Sequence, residues 1–307
     1  MALLDRTSEV RRTPSRPRRL VLVSALVGLL IAVSWSAELV DSVIGDAIAV
    51  PLLGGDPATV PVTGSTAAVL LAFVTGLAGT FTACNVAVVS ALVPTAGSSG
   101  GVRALLRPLG ILVGCAVAVS AVYGAVVVLT GDLSLQVTNS RVGELPGRLV
   151  QAGVVFTVIG AILVWRGLAA VGIARDRVSE LLARRPDLDI ALLGVLVGAF
   201  VIGRPFPPFR HMLTWAVENG DPLLGAGLLA LQTLGNLALL VLVVVLVAAL
   251  TRGRALRWLT ASPQRAARIS AAVLVAAGTF FLVYWGVATF ARAGVIWWPY
   301  MPWTWRG

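Results

Sequence analysis

The residues of this 307-residue chain whose types and spacing could do chemistry are two cysteines, a few amides and one arginine set deep in an apolar run. Cys84 and Cys115 both lie in apolar stretches. By helical rise they sit roughly 13 and 10 Å from the same end of their helices. Antiparallel neighbours could therefore hold the two sulfurs at similar depth as a redox pair. The plainer reading is two small buried hydrophobes, the usual state of a free cysteine. Arg204 falls in the apolar run 190–216, near its middle, where an ionised side chain costs at least ~2.5–3.5 kcal/mol. It either holds the carbonyls freed by Pro205, Pro207 and Pro208, or offers a positive site to a carboxylate, phosphate or thiolate. Asn85, Gln232 and Asn236 are the polar groups expected at its depth. Gln232 and Asn236 share one helix face, where amides mostly act as interhelical glue worth ~0.6 kcal/mol. Arg210 and His211 lie closer to the outer surface, where they snorkel or line the mouth of a site.

The elements that must position these groups are membrane spans. The chain is 58% hydrophobic and 12% charged, with mean hydropathy +0.92. Soluble domains are nearer half apolar and a quarter charged, so a soluble enzyme is excluded, and so apolar a chain is not disordered. Apolar runs separated by polar breaks give seven spans, roughly 20–37, 66–93, 108–130, 149–171, 190–216, 222–250 and 270–292. A lone His211 and no CxxC pair speak against zinc or haem sites, so no metal or cofactor is expected.

All 24 basic residues are arginine, and the net charge is +10. They are dispersed between apolar runs, whereas a nucleic-acid binder gathers them on one solvated face; the expected partner is the lipid bilayer. The tail 1–19, the loop 94–107, the 166–189 region and the loop 251–269 hold 18 of the 24. Alternating spans put all four on one side, which the positive-inside rule makes cytoplasmic. The N-terminus is then inside the cell membrane and the C-terminus outside. Segment 20–37 reads as an uncleaved anchor, although its Arg-rich start and SWSA ending also fit a signal sequence. Segment 38–65 carries an amphipathic stripe of Val40, Val43, Ile44, Ala47 and Ile48 expected to lie on the outer surface. The tail 293–307 holds four of the nine Trp and reads as an interfacial anchor.

Residues 66–171 and 190–292, joined by a linker over 172–189, contain three spans each, so the second unit must enter the membrane inverted. Each opens with a Gly-bearing helix interrupted by polar or Pro residues, GLAGTFTACN from Gly76 and GAFVIGRPFPPFR from Gly198. Paired interruptions in two halves point to a site at the repeat interface. Gly76, Gly79, Gly194 and Gly198 are close-packing positions. The expected fold is all-α: a polytopic six-helix core of two inverted three-helix repeats plus one N-terminal span.

On these motifs, with LGVLVGAFVIGRPFPPF and GDPLLGAGLLALQTLGN the nearest stretches, the chain over 66–292 resembles the CcdA/DsbD-type cytochrome c biogenesis and thiol-disulfide transport family. The resemblance implies two inverted halves, each presenting a cysteine beside proline, and a thioredoxin-like or cytochrome-assembly partner. Cys84 matches the first family cysteine, with Ala83 and Ala87 in place of the flanking prolines, and Phe206 stands where the second would be. A dithiol relay needs two sulfurs, so the resemblance implies an accessory or divergent member without the standard relay. Two other functions fit the same residues: transport of a small anionic solute past Arg204, and a non-catalytic membrane scaffold.

Overall fold

Proline and glycine set the helix boundaries of the computed structural model, which describes residues 17–36, 39–79, 102–174, 185–251, 254 and 262–299. The helices are α1 (Pro17–Ser34), α2 (Asp46–Leu53), α3 (Ser65–Ala78), α4 (Val102–Thr130) and α5 (Gly147–Ala170). They continue as α6 (Pro186–Ala199), α7 (Pro207–Asn219), α8 (Pro222–Leu250), α9 (Pro263–Phe281) and α10 (Ala288–Arg292). The last two are joined by a π-helical turn over Leu282–Val287. Helices α6, α7 and α9 start on proline, which gives up an N–H that would have no helical acceptor anyway. Helix α7 stops at Gly220, whose φ of 68° suits glycine. The two short strands, β1 (Arg141–Val142) and β2 (Leu145–Pro146), pair as a small antiparallel hairpin between α4 and α5.

The architecture is otherwise all-α. Among the described residues five helical stretches are long and apolar enough to cross a membrane, as a multi-pass membrane protein requires: Pro17–Ser34, Leu106–Leu133, Gly147–Ala170, Pro222–Leu242 and Gln264–Arg292. Leu22, Leu26 and Leu30 of α1 are well exposed, a surface suited to hydrocarbon. The two other expected spans are not among these. Helix α3 has 14 residues and covers the described part of the run 66–93, which reaches Gly79. Helix α6 also has 14 and is followed by the irregular segment 200–206 and then α7. Glycine and proline therefore divide the fifth run at the place the sequence marks. Residues 80–93, the rest of the second run, lie outside the described residues, as do the tails 1–16 and 300–307.

The most extensive helix contacts are α4 with α8, α5 with α9, α3 with α8, and α4 with α6; α1 lies against α9. Glycine permits the closest approaches. A Cβ on Gly160 would meet the Gly278 carbonyl oxygen at 2.8 Å, and a Cβ on Gly278 the Gly160 oxygen at 2.7 Å. Gly153 faces Trp285 and Gly167 faces Ala271, so α5 and α9 run antiparallel. Gly194 faces Leu112 and Gly198 faces Ala116, so α4 and α6 run parallel. Small residues let backbones touch where lipid supplies no hydrophobic drive between helices. Gly28 of α1 packs in the same way against Ala276 of α9.

Two ion pairs gather the ends of three helices. Arg107 of α4 reaches Asp187 of α6 at 2.5 Å, and Arg166 of α5 pairs with Asp189 of α6. All four residues belong to the Arg-rich side inferred from the sequence. Segment 39–53 differs in detail from a regular amphipathic helix. A π-helical turn over Leu39–Gly45 precedes α2 and shifts the register. Gly45 and Ala49 consequently face α3, near Ala78, while Val43 is 58% exposed.

Candidate functional site

The site is built on the break between α6 and α7. Pro205, Pro207 and Pro208 carry no amide hydrogen, so helical bonding cannot run through them. From Phe200 to Arg204 each backbone N–H turns instead to the carbonyl three residues back. The Ile202 carbonyl is left pointing out of the ladder, and two side chains take it up. Gln136, from the loop after α4, donates through Nε2 at 3.0 Å, and Gln151 of α5 donates through Nε2 at 2.8 Å. Gln151 also donates to the Tyr123 hydroxyl at 3.0 Å. Phe200 anchors the start of the break against the rings of Phe156 and Phe281, and Gly203 sits on the Phe156 ring. Changing both Gln136 and Gln151 to Leu is expected to lower stability by ~1–3 kcal/mol, the cost of a buried carbonyl left unpaired. Thermal unfolding in detergent measures it, and an unchanged midpoint would mean the break supports itself.

Arg204 leaves this turn half-buried, with its guanidinium carbon 4.7 Å from the centre of the Phe206 ring. Its far side lies against Gly79, at the end of α3. A Cβ on Gly79 would come within 2.5 Å of Nη1 and 2.7 Å of Cζ, so only glycine admits the guanidinium there. The end of α3 and the break after α6 are thus in contact.

One turn earlier on α3, Gly76 packs on the backbone of α8 at the Gln232 carbonyl and the Asn236 amide nitrogen, and Gly235 packs back on Phe73 and Gly76. Gln232 is therefore in the α3-facing stripe of α8, with Gly235 and Asn236 at i+3 and i+4. Its side chain is 1% exposed, and among the described residues neither amide atom has a hydrogen-bond partner. An unpaired buried amide costs on the order of 1–3 kcal/mol. The next residue shows the contrast, since the Thr233 hydroxyl donates to Ser120 Oγ of α4 at 2.7 Å and the Ser120 hydroxyl donates on to the Ala116 carbonyl. That pair is interhelical glue; among the described residues Gln232 makes no such bond.

Arg210 and His211 tie down loops at the other end of the bundle. Arg210 Nη2 donates to the Val137 carbonyl at 3.0 Å and to Asn139 Oδ1 at 2.6 Å. His211 Nε2 donates to the Val60 carbonyl at 2.9 Å. Val137 and Phe206 share one buried cluster, against which Val60 and Val62 pack. The segments around 60 and 137 therefore cover the break on this side, and the two residues expected at a mouth fasten its cover.

Cys115 is a free cysteine of α4, with its Cβ against Gly194 of α6. Cys84 and Asn85 lie outside the described residues, so the proposed pairing of Cys84 with Cys115 does too. Among the described residues no three of His, Cys, Asp and Glu gather as a metal site. Gln136, Gln151 and Tyr123 were not singled out from the sequence. An amide at the start of an apolar run was the available signal for Gln151, whereas Gln136 sits in a polar loop that nothing local marks as buried. No family model, curated protein or solved structure matches this chain. What the fold and site define is a class: a helical multi-pass membrane protein with an arginine at an interrupted helix.

Proposed function

We propose that the chain is a cell-membrane protein of two inverted three-helix repeats plus an N-terminal span, with its N-terminus cytoplasmic, that binds and moves a small anionic solute at Arg204. The observation that carries this reading is the seating of the Arg204 guanidinium against Gly79, which brings the end of α3 to the break after α6. Irregular backbone within a membrane is tolerated where it is buried in protein or lines a cavity, and a guanidinium there selects negative charge. The helix contacts support the repeat. Exchanging the halves carries the α3–α8 contact onto α6–α4 and returns α5–α9 and α4–α8 to themselves. Moving Gly160 to the place of Gly278 carries the Gly153–Trp285 contact onto Ala271–Gly167. The plan is that of the CcdA/DsbD-type resemblance, with a charge beside the position of the missing second sulfur.

Purified full-length protein in liposomes tests it. Saturable uptake of at least one labelled probe among propionate, lactate and phosphate is expected. Rates for all three equal to those of protein-free liposomes would overturn the reading.

A second reading is accessory thiol handling with a thioredoxin-like or cytochrome-assembly partner, which the resemblance implies. Cys84 follows Gly79 by five residues, so the two Cα atoms are at most roughly 18 Å apart. Cys84→Ser separates the two readings: solute uptake is expected to stay within about twofold, whereas thiol handling would be lost.

A further inference from the structure

The proposed solute site has a second buried polar group near it. Gly76 and Gly79 fall on one face of α3, one turn or about 4.5 Å apart along its axis. The Gln232 backbone packs on the first of them and the Arg204 guanidinium on the second. Gln232 lies in that same seam, 1% exposed, with an acceptor, Oε1, and a donor, Nε2, that are unpaired among the described residues. It makes no bond across to another helix, so its polarity serves nothing within the described residues.

We infer that Gln232 is the second recognition point of this site, and that the solute is a short hydroxy-carboxylate whose carboxylate lies at Arg204 and whose hydroxyl lies at Gln232. A hydroxyl both donates and accepts, so it can match both free atoms of the amide. An ammonium only donates, and it would place a second positive charge close to the guanidinium. A carboxylate without a hydroxyl reaches Arg204 but leaves Gln232 unpaired. A site built to bond a hydroxyl discriminates against the analogue lacking it, because its own polar groups then stay unpaired. The inference rests on the anion reading above.

Lactate and propionate differ by one hydroxyl and are the probes for titration calorimetry on the purified full-length protein. Lactate is expected to bind about tenfold more tightly than propionate, the yield of one well-placed neutral hydrogen bond. Gln232→Leu should bring that ratio close to one by weakening lactate about tenfold. This variant should also fold, since an apolar replacement of an unpaired amide relieves its desolvation cost, and its melting midpoint checks that. Equal binding of the two probes to the unaltered protein would overturn the inference, as would a tenfold ratio that survives Gln232→Leu. Arg204-dependent binding of both probes with equal affinity would overturn this inference and leave the anion reading standing. Failure of lactate, propionate and phosphate alike to bind would overturn both.

Discussion

Arg204→Ala is expected to cut saturable anion uptake by about tenfold to a hundredfold while the protein still inserts and purifies. Loss of a charged hydrogen-bonding partner weakens binding by ~1.5–3 kcal/mol, and each 1.4 kcal/mol is tenfold. The change removes a cation stacked on Phe206 and leaves the break held by other groups, since Gln136 and Gln151 still take up the Ile202 carbonyl. Arg204→Lys should recover part of the uptake, because an ammonium keeps the charge without the planar fork. Uptake assays in liposomes, read beside the detergent melting midpoint, decide between a functional and a structural arginine. A lower midpoint with unchanged uptake per folded molecule would make Arg204 a prop for the broken helix.

Gly76→Leu is expected to prevent stable assembly. The new Cβ would overlap the Gln232 carbonyl oxygen and come within 3.0 Å of the Asn236 nitrogen. Both are backbone atoms of a long helix and cannot rotate aside, so α3 would have to leave α8. Inserting methylenes into a packed interface ordinarily costs ~1–3 kcal/mol, and a clash with rigid backbone lies beyond that range. The control is Gly227→Leu on the same α8, where a Cβ meets nothing within 4 Å. Gel filtration in detergent should show aggregation for the first variant and a single peak for the second. Gly79→Ala is the informative intermediate. Its Cβ meets the end of a flexible arginine rather than backbone, so the fold should persist while the guanidinium is displaced and uptake falls. Normal assembly of Gly76→Leu would mean that the α3–α8 seam is looser than its geometry.

Much of the fold was legible because hydropathy and punctuation are local. The apolar runs gave the five long helices, and Pro205, Pro207 and Pro208 gave the break between α6 and α7, since a missing N–H interrupts a helix whatever surrounds it. Gly76, Gly194 and Gly198 were correctly read as packing positions, without a sign of what they pack on. The 39–53 segment was less legible, because its π-helical turn shifts the register that a 3.6-residue period assumes. Gln136 was invisible for a related reason. Its sequence neighbours are those of a polar loop, and it is buried only because that loop folds back onto Ile202.

The sequence by itself determined that the chain is a helical membrane protein, where its helices stop, and that one arginine stands at an interruption. Those properties follow from side-chain transfer energies and from φ and N–H constraints that act within a few residues. Only the tertiary structure decided what that interruption meets. It set Arg204 on Gly79, left the Gln232 amide buried beside Gly76 without a partner among the described residues, and turned Arg210 and His211 to the loops at Asn139 and Val60. Such pairings join residues far apart in the chain, more than a hundred positions in the case of Arg204 and Gly79. They depend on how close two helix backbones can come, which no single stretch of sequence encodes.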